Sequence, residues 1–116
     1  MIRFLERLLS YLRNRETLKT LGALRSPRWS KVRNDFIKLH PSCAICRTTE
    51  ELNVHHIQPF HKFPHLELEP SNLITLCEKP GREHHLVFGH LGSYQSWNPD
   101  IVVDAKIWYN KIQSRL

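Results

Sequence analysis

The fold is decided by residues 43–85, which read CAICRTTEELNVHHIQPFHKFPHLELEPSNLITLCEKPGREHH. Two patterns of metal-ligating residues are interleaved in this stretch. The first combines three thiols with a later histidine: Cys43, Cys46, Cys77 and one of His84 or His85. The second consists of imidazoles and one amide: His55, His56, Asn72, His84 and His85. Two such patterns in so short a stretch predict two separate metal sites.

Length and composition limit what surrounds these sites. A chain of 116 residues has room for one domain with a thin core. Its 41% hydrophobic and 24% charged residues are ordinary for a globular protein. No apolar run approaches the ~18 residues that cross a bilayer, and Arg3, Glu6 and Arg7 interrupt the first twelve residues. We therefore expect no signal peptide, no membrane partner and a cytoplasmic location.

The net charge of +6 is unevenly distributed along the chain. Residues 1–40 carry +7, whereas residues 41–116 carry −1. A basic arm beside a nearly neutral module predicts a grip for a polyanion, because Lys and Arg neutralise backbone phosphates. The alternative is a solvated basic helix face. The candidate nucleic-acid contacts are Arg28, Lys31, Arg33 and Lys38.

The apolar spacing predicts helices on both sides of the motif stretch. Residues 2–12 form an amphipathic pattern, and a weakly patterned linker continues to residue 25. A helix is expected to start at Ser26-Pro27 and to end before Pro41, with its buried face formed by Trp29, Val32, Phe36 and Leu39. A C-terminal helix is expected at about 99–113, with Ile101, Ala105, Trp108 and Ile112 on one face.

Between these helices the pattern predicts a ββα unit. Residues 52–57 and 73–76 read as short strands, and residues 83–88 read as a short helix closed at Gly89 or Gly92. The fold class is therefore α+β, with a domain at 26–116 and a motif core at 43–92.

The thiol pattern predicts a structural zinc. Such sites are tetrahedral and are commonly built from three or four cysteines, with a histidine completing the set. Three cysteines cannot all pair as disulfides, so metal binding in a reducing compartment is the simpler account, and three buried free thiols are the alternative. The zinc would join the two ends of the hairpin, and its binding energy of roughly 10 to 16 kcal/mol is also folding energy.

The imidazole pattern predicts hydrolysis of a phosphodiester. That reaction needs a water nucleophile, a base and a divalent cation. One of His55 and His56 can be the base while its neighbour holds the ion, and a histidine of the short helix completes the protein ligands. Asn72 would fix the loop that carries the base or orient its ring. Because neighbours on a flat strand point to opposite faces, His55 and His56 reach one phosphate only where the pleat breaks.

The same motifs resemble the HNH endonucleases of the ββα-metal (His-Me finger) type, and the tail LVFGHLG at 86–92 is similar to small bacterial and phage members. The resemblance covers about half of the chain. It implies cleavage of DNA, with RNA as an open alternative, in a bacterial or phage-infected cell. It also implies a structural Zn²⁺ and a catalytic Mg²⁺, Mn²⁺, Ni²⁺ or Zn²⁺.

The resemblance assigns roles residue by residue. His55 and His85 are implied as ligands of the catalytic cation, His56 as the general base and Asn72 as the motif asparagine. His84 takes the place of a fourth cysteine that members of this kind usually carry. His90 lies about 140° from His85 on an α-helix, so it reaches the same ion only if the helix ends at Gly89.

Two other functions remain open from the sequence. One is a non-catalytic, zinc-stabilised module that binds nucleic acid through the basic arm. The other is a regulatory subunit that assembles through residues 2–12. A monomer and a homodimer are both compatible with the sequence.

Overall fold

A computed structural model describes residues 25–116. The elements of this part are helix α1 (Trp29–Leu39), strand β1 (Leu52–His56), strand β2 (Leu73–Cys77), a π-helical turn (His85–Gly89) and helix α2 (Ile101–Ser114). The expected α+β class and the order strand, strand, short helix are thereby confirmed. The predicted helix at residues 2–12 lies outside the described residues, and the domain boundary at residue 26 stays a prediction. Within residues 25–116 no helix is both long and apolar enough to span a bilayer.

Helix α1 starts later than expected and has a smaller buried face. Ser26 forms a turn before the helix, since its carbonyl oxygen accepts a hydrogen bond from the Trp29 amide (3.0 Å) and its hydroxyl accepts one from the Arg28 amide (3.2 Å). Phe36 packs against Val54 and Leu73 of the sheet. Trp29, Val32 and Ile37 of the same helix are partly buried around this contact. The prediction that Leu39 is buried was wrong, because this side chain is 77% exposed and Ile37 packs in its place.

The two strands form an antiparallel pair with Leu52 opposite Cys77 and His56 opposite Leu73. Pairing ends at His56, although the Ile57 amide still donates to the Asn72 carbonyl (2.8 Å). The connecting loop contains two short 3₁₀ turns, Pro64–Leu66 and Pro70–Asn72. Phe60 in this loop is 6% exposed, so the loop is held against the body of the protein.

The main core lies on the side of the hairpin where the cysteines are. It consists of Cys43, Ile45, Leu76, Cys77, Ile101 and Ala105. Helix α2 covers this core through Ile101 and Ala105, which are 0% and 3% exposed. Trp108, which shares their predicted face, is 42% exposed and contacts Phe88 at its edge (ring centroids 5.5 Å apart). The core therefore fixes the first half of α2 against the cysteines.

Candidate metal centre and active site

Three thiols and one imidazole meet at the end of the hairpin and form what we call the thiol cluster: Cys43, Cys46, Cys77 and His84. The His84 Nδ1 atom lies 3.5 Å from the Sγ atoms of Cys43 and of Cys77, and the Cys46 and Cys77 Sγ atoms lie 3.8 Å apart. A tetrahedron with metal–sulfur bonds of about 2.3 Å has edges of about 3.8 Å. The ligand atoms are therefore spaced as a tetrahedral zinc requires, and no pair of the three cysteines, all within the described residues, is oxidised.

Local backbone geometry brings these ligands together. Cys43 and Cys46 lie on a knuckle before β1. The knuckle is joined to β2 by the hydrogen bond from the Ala44 amide to the Thr75 carbonyl (2.9 Å). Cys77 is the last residue of β2. A turn follows in which the amides of Arg82 and Glu83 both donate to the Lys79 carbonyl, and this turn returns the chain to the cysteines at His84. The thiol cluster thus ties the two ends of the hairpin.

The electrostatics of the thiol cluster favour a bound cation. Burial raises the pKa of the Cys43 thiol to about 11. For Cys46, burial acts in the same direction, but hydrogen bonds from the Thr48 amide and the Arg82 guanidinium lower the pKa overall. A buried thiolate needs a positive partner to be stable, and a metal ion supplies one.

A second group, the histidine cluster, consists of His55, His85 and His90. The Nε2 atoms of His85 and His90 are 3.2 Å apart, and the centroid of the His55 ring lies 5.0 Å and 4.7 Å from those of the other two rings. The His55 Nε2 atom is buried without a hydrogen-bond partner among the described residues. Buried polar atoms are seldom left unpaired, so this nitrogen fits the position of a metal ligand.

The protonation state of His55 also favours metal binding. Burial, together with the charges of His85, His90 and His56, lowers the pKa of His55 to about 3. Because the ring is then neutral at physiological pH, its Nε2 lone pair is available to a cation. The donor set of three imidazoles suits Zn²⁺, Ni²⁺ and related ions.

His90 joins the histidine cluster because the helix after β2 is wider than an α-helix. The His90 amide donates to the His85 carbonyl (3.2 Å), an i→i+5 bond that defines a π-helical turn. This turn ends at Gly89, which is the condition under which His90 is expected from the sequence to come close to His85. The orientation of the His90 ring is fixed by the hydrogen bond that its Nδ1 atom donates to the Ser96 carbonyl (2.8 Å).

Gly89 allows the turn to approach β1. A Cβ atom at this position would lie 3.1 Å from the His55 ring, which is closer than ordinary van der Waals contact. The missing side chain therefore leaves room for the His55 ring beside the turn.

The fold separates His84 from His85 but brings His55 and His56 to the same cavity. Of the two candidates for the fourth thiol-cluster position, His84 lies with the cysteines and His85 with His55. His55 and His56 line one cavity of about 320 Å³, together with His61, and His56 is the last residue of β1, where the strand pairing ends. Both residues belong to β1 and pair with Ile74 and Leu73 of β2, so the strand pairing shows no break between them and the expected break of the pleat is not observed.

His56 is oriented by a backbone carbonyl and belongs to neither cluster. Its Nε2 atom donates to the Glu67 carbonyl (2.9 Å), which leaves Nδ1 as an acceptor, and its ring packs on Trp29 at 4.5 Å. Burial lowers the pKa of His56, the Glu67 carbonyl acts against this shift, and the charge of Arg25 adds to it. A lowered pKa favours the neutral ring, whose Nδ1 lone pair is available to accept a proton.

Asn72 holds the loop that carries the Glu67 carbonyl. Its Oδ1 atom accepts from the Gln58 amide (2.8 Å), and its Nδ2 atom donates to the carbonyls of Gln58 (3.0 Å) and Leu66 (3.3 Å). Asn72 is 6% exposed. It therefore acts on His56 through the loop rather than by direct contact with the ring.

The four basic residues proposed as nucleic-acid contacts differ in position. Arg33 lines the cavity, and its Nη2 atom lies 3.5 Å from the Asn53 Oδ1 atom. Lys31 pairs with Asp35 (2.7 Å) on the exposed side of α1. Arg28 and Lys38 are exposed and do not line the cavity within the described part of the chain.

Two residues that the sequence did not single out lie at this site. The Arg25 guanidinium lies 5.2 Å from the Trp29 ring centroid and 5.0 Å from that of Phe60, at the cavity edge. Glu78 accepts a hydrogen bond from His85 Nδ1 (2.9 Å). Arg25 belonged to the predicted linker, and Glu78 directly follows Cys77. No sequence signal for either contact was available, because both depend on tertiary neighbours.

Comparison with protein families shows a match over part of the chain. Residues 41–79 match the family model of the HNH endonucleases, a segment that contains the three cysteines, both strands and Asn72 but ends before His84, His85 and His90. No curated protein and no solved structure matches the chain. The resemblance to the HNH endonucleases is thereby confirmed for residues 41–79.

Proposed function

We propose that the protein is a metal-dependent endonuclease that hydrolyses phosphodiester bonds of DNA. The observation that carries the proposal is one cavity that is lined both by histidines arranged to hold a metal ion and by a histidine arranged to act as a base. The former make up the histidine cluster, whose nitrogens converge within 4.8 Å of one another. The latter is His56, whose tautomer is fixed by the Glu67 carbonyl and whose Nδ1 atom is free.

The proposed division of labour follows from these positions. His55, His85 and His90 would hold a divalent cation, which would supply positive charge for the scissile phosphate and the leaving oxygen. His56 accepts the proton of the attacking water at Nδ1. The Glu67 carbonyl keeps the ring oriented during this transfer, and Asn72 keeps the loop of Glu67 in place. Trp29 covers one side of the His56 ring and reduces its contact with bulk water.

The remaining features support a nucleic-acid substrate and a second, structural ion. Arg25 and Arg33 line the same cavity as His56 and place positive charge where a phosphate backbone would lie. Zinc is the proposed ion of the thiol cluster, because three thiolates and one imidazole at tetrahedral spacing suit it best. Its role there is to hold the hairpin that carries His55 and His56.

The test is cleavage of supercoiled plasmid with Mg²⁺, Mn²⁺, Ni²⁺ or Zn²⁺. We expect the parent protein to nick or linearise the plasmid, and His56→Ala to lower the rate by roughly 10²- to 10⁴-fold, the range of general base catalysis. His65→Ala is the matched control, because His65 is an exposed histidine of the same loop. It should cleave like the parent.

Two outcomes of this assay would contradict the proposal. If the parent leaves plasmid intact with every ion, or if His56→Ala and the parent cleave at the same rate, the protein is not this enzyme. Binding of DNA without cleavage, lost only when the cysteines are replaced, would favour the zinc-stabilised binding module. A parallel assay with single-stranded and duplex RNA separates a DNA nuclease from an RNA nuclease.

A further inference from the structure

A carboxylate that is not among the cavity-lining residues contacts the histidine cluster. Glu78 is the first residue after β2, and its Oε1 atom accepts hydrogen bonds from His85 Nδ1 (2.9 Å) and from Asn53 Nδ2 (3.1 Å). The opposite nitrogen of the His85 ring, Nε2, faces His90. The carboxylate therefore contacts the nitrogen of His85 that is not directed at the other members of the cluster.

This contact selects one tautomer of His85. An ionised carboxylate only accepts hydrogen bonds, so the proton of a neutral His85 ring resides on Nδ1. Nε2 is then left with a lone pair that points toward His55 and His90. A histidine that binds metal through one nitrogen commonly donates from the other to a carboxylate, which fixes the ring orientation and raises its basicity.

Glu78 is itself held in place by the neighbouring strand. Asn53 lies on β1, and its Oδ1 atom accepts a hydrogen bond from the Val54 amide (2.9 Å), which leaves its Nδ2 group directed at Glu78. The Arg33 guanidinium approaches the same Oδ1 atom at 3.5 Å. This fixation matters because the Glu78 side chain is 44% exposed and would otherwise sample several rotamers.

We infer that Glu78, held by Asn53, is a positioning residue that presents His85 Nε2 to a divalent cation and thereby sets the cation affinity of the histidine cluster. The inference rests on the metal-binding role of this cluster in the proposed function. Glu78 does not touch the substrate or the reacting atoms. Its effect reaches the chemistry only through the orientation of the His85 ring.

The experiment measures metal binding and ring tautomer without relying on cleavage. Protein with its thiol-cluster zinc in place is titrated with Ni²⁺ by calorimetry, and zinc content is measured before and after. We expect Glu78→Ala to weaken Ni²⁺ binding by about 10- to 100-fold, as the loss of an outer-shell partner does at other metal sites. Glu78→Gln, whose amide oxygen still accepts from Nδ1, should recover part of the loss, and Asn53→Ala should lose less than Glu78→Ala.

The matched control is Glu69→Gln, which removes the same charge from an exposed position of the loop. It should bind Ni²⁺ like the parent. Imidazole ¹⁵N spectra of the metal-free histidine cluster give a second readout. The His85 signals should report an Nδ1–H ring in the parent and a mixture of tautomers in Glu78→Ala.

The results separate failure of this inference from failure of the proposed function. If the parent binds a second ion tightly and Glu78→Ala binds it equally well with an unchanged tautomer, the positioning role is wrong and the nuclease proposal stands. If the parent binds no ion beyond the thiol-cluster zinc, the inference and the metal role of the histidine cluster are both wrong. Should Glu78→Ala fail to fold, Glu78→Gln and Asn53→Ala carry the same comparison.

Discussion

His84 and His85 are joined by one peptide bond, yet they belong to clusters with opposite surroundings. The thiol cluster has four donor groups, enough to complete a tetrahedron, and none of its members lines the cavity of about 320 Å³. The histidine cluster offers three nitrogens and lines an open cavity. Structural zinc sites are closed and catalytic sites keep a position free. The difference teaches that one short turn can serve both stability and the proposed chemistry.

The two clusters also depend on the chain in different ways. The thiol cluster joins the knuckle, the end of β2 and the turn after it, so its loss would release both ends of the hairpin. The histidine cluster joins β1 to the π-helical turn through side chains, whereas the two strands are joined by backbone pairing. Variants of the first should therefore affect folding, whereas variants of the second should affect ion binding and cleavage.

The largest effect is expected from Cys77→Ser. Serine has nearly the same volume, but its hydroxyl does not replace a thiolate ligand of zinc. Structural zinc contributes roughly 10 to 16 kcal/mol, which equals or exceeds the whole stability of a typical domain. We expect a zinc-free, largely unfolded protein, measured by total metal analysis and far-UV circular dichroism. A folded Cys77→Ser protein without zinc would show that the thiol cluster is not the structural anchor.

The next largest effect is expected from His90→Ala. This change removes one of three ligands, so Ni²⁺ binding at the histidine cluster should weaken by more than the roughly 10- to 100-fold that an outer-shell loss produces. Zinc content and the circular dichroism spectrum should match those of the parent. His65→Ala again controls for loss of an imidazole. If the Ni²⁺ affinity is unchanged, His90 is not a ligand and only His55 and His85 of the cluster can bind the ion.

A smaller effect is expected from Gly89→Ala. The added methyl group meets the His55 ring at 3.1 Å, so the ring or the turn must shift by a few tenths of an ångström. Overpacking of this kind costs about 1 to 3 kcal/mol. We expect a lower melting temperature and weaker Ni²⁺ binding, with the zinc retained. Val87→Ala, on the exposed side of the same turn, should change neither quantity; equal behaviour of the two variants would mean that the contact with His55 is not limiting.

The smallest effect is expected from Arg25→Gln. Its ion pair with Glu67 is long (3.7 Å), its side chain is 40% exposed, and the Glu67 carboxylate, which is 6% exposed, keeps a hydrogen bond from the Ser26 amide (3.2 Å), so the loss of stability should be about 1 kcal/mol. If Arg25 contacts a phosphate, the slope of log affinity against log salt should fall by about 1 in DNA-binding titrations of the His56→Ala protein. Lys38→Gln removes the same charge away from the cavity. A change of slope with Lys38→Gln alone would move the phosphate contacts to the exposed side of α1.

The fold and the thiol pattern could be predicted because their signals are local. The knuckle is a four-residue spacing, the strands are short apolar runs between turn residues, and these features led to the α+β class that the structure has. Leu39 was misplaced because periodicity identifies a helix face but not where the packing partner stops. That limit depends on Val54 and Leu73, which come later in the chain.

The parts of the site that could not be predicted depend on tertiary contacts. The family resemblance assigned His84 to the cysteines and His85 to the other cluster, but the spacing alone left this choice open, because it depends on the geometry of the turn at residues 79–83. The link from Glu78 to Asn53 needs the antiparallel register that pairs Asn53 with Leu76. Arg25 reaches the cavity only because Trp29 and Phe60 from two separate segments lie beneath its guanidinium.

The π-helical turn has a consequence for how such chains are found. In an α-helix, two residues directly above one another are separated by three or four positions. Here five positions separate His85 from His90, and one extra residue is absorbed as a wider turn without loss of the pairing. A search written for fixed α-helical spacing would therefore overlook this histidine pair. A π-helical turn thus widens the set of spacings at which two side chains of one helix can meet at a single point.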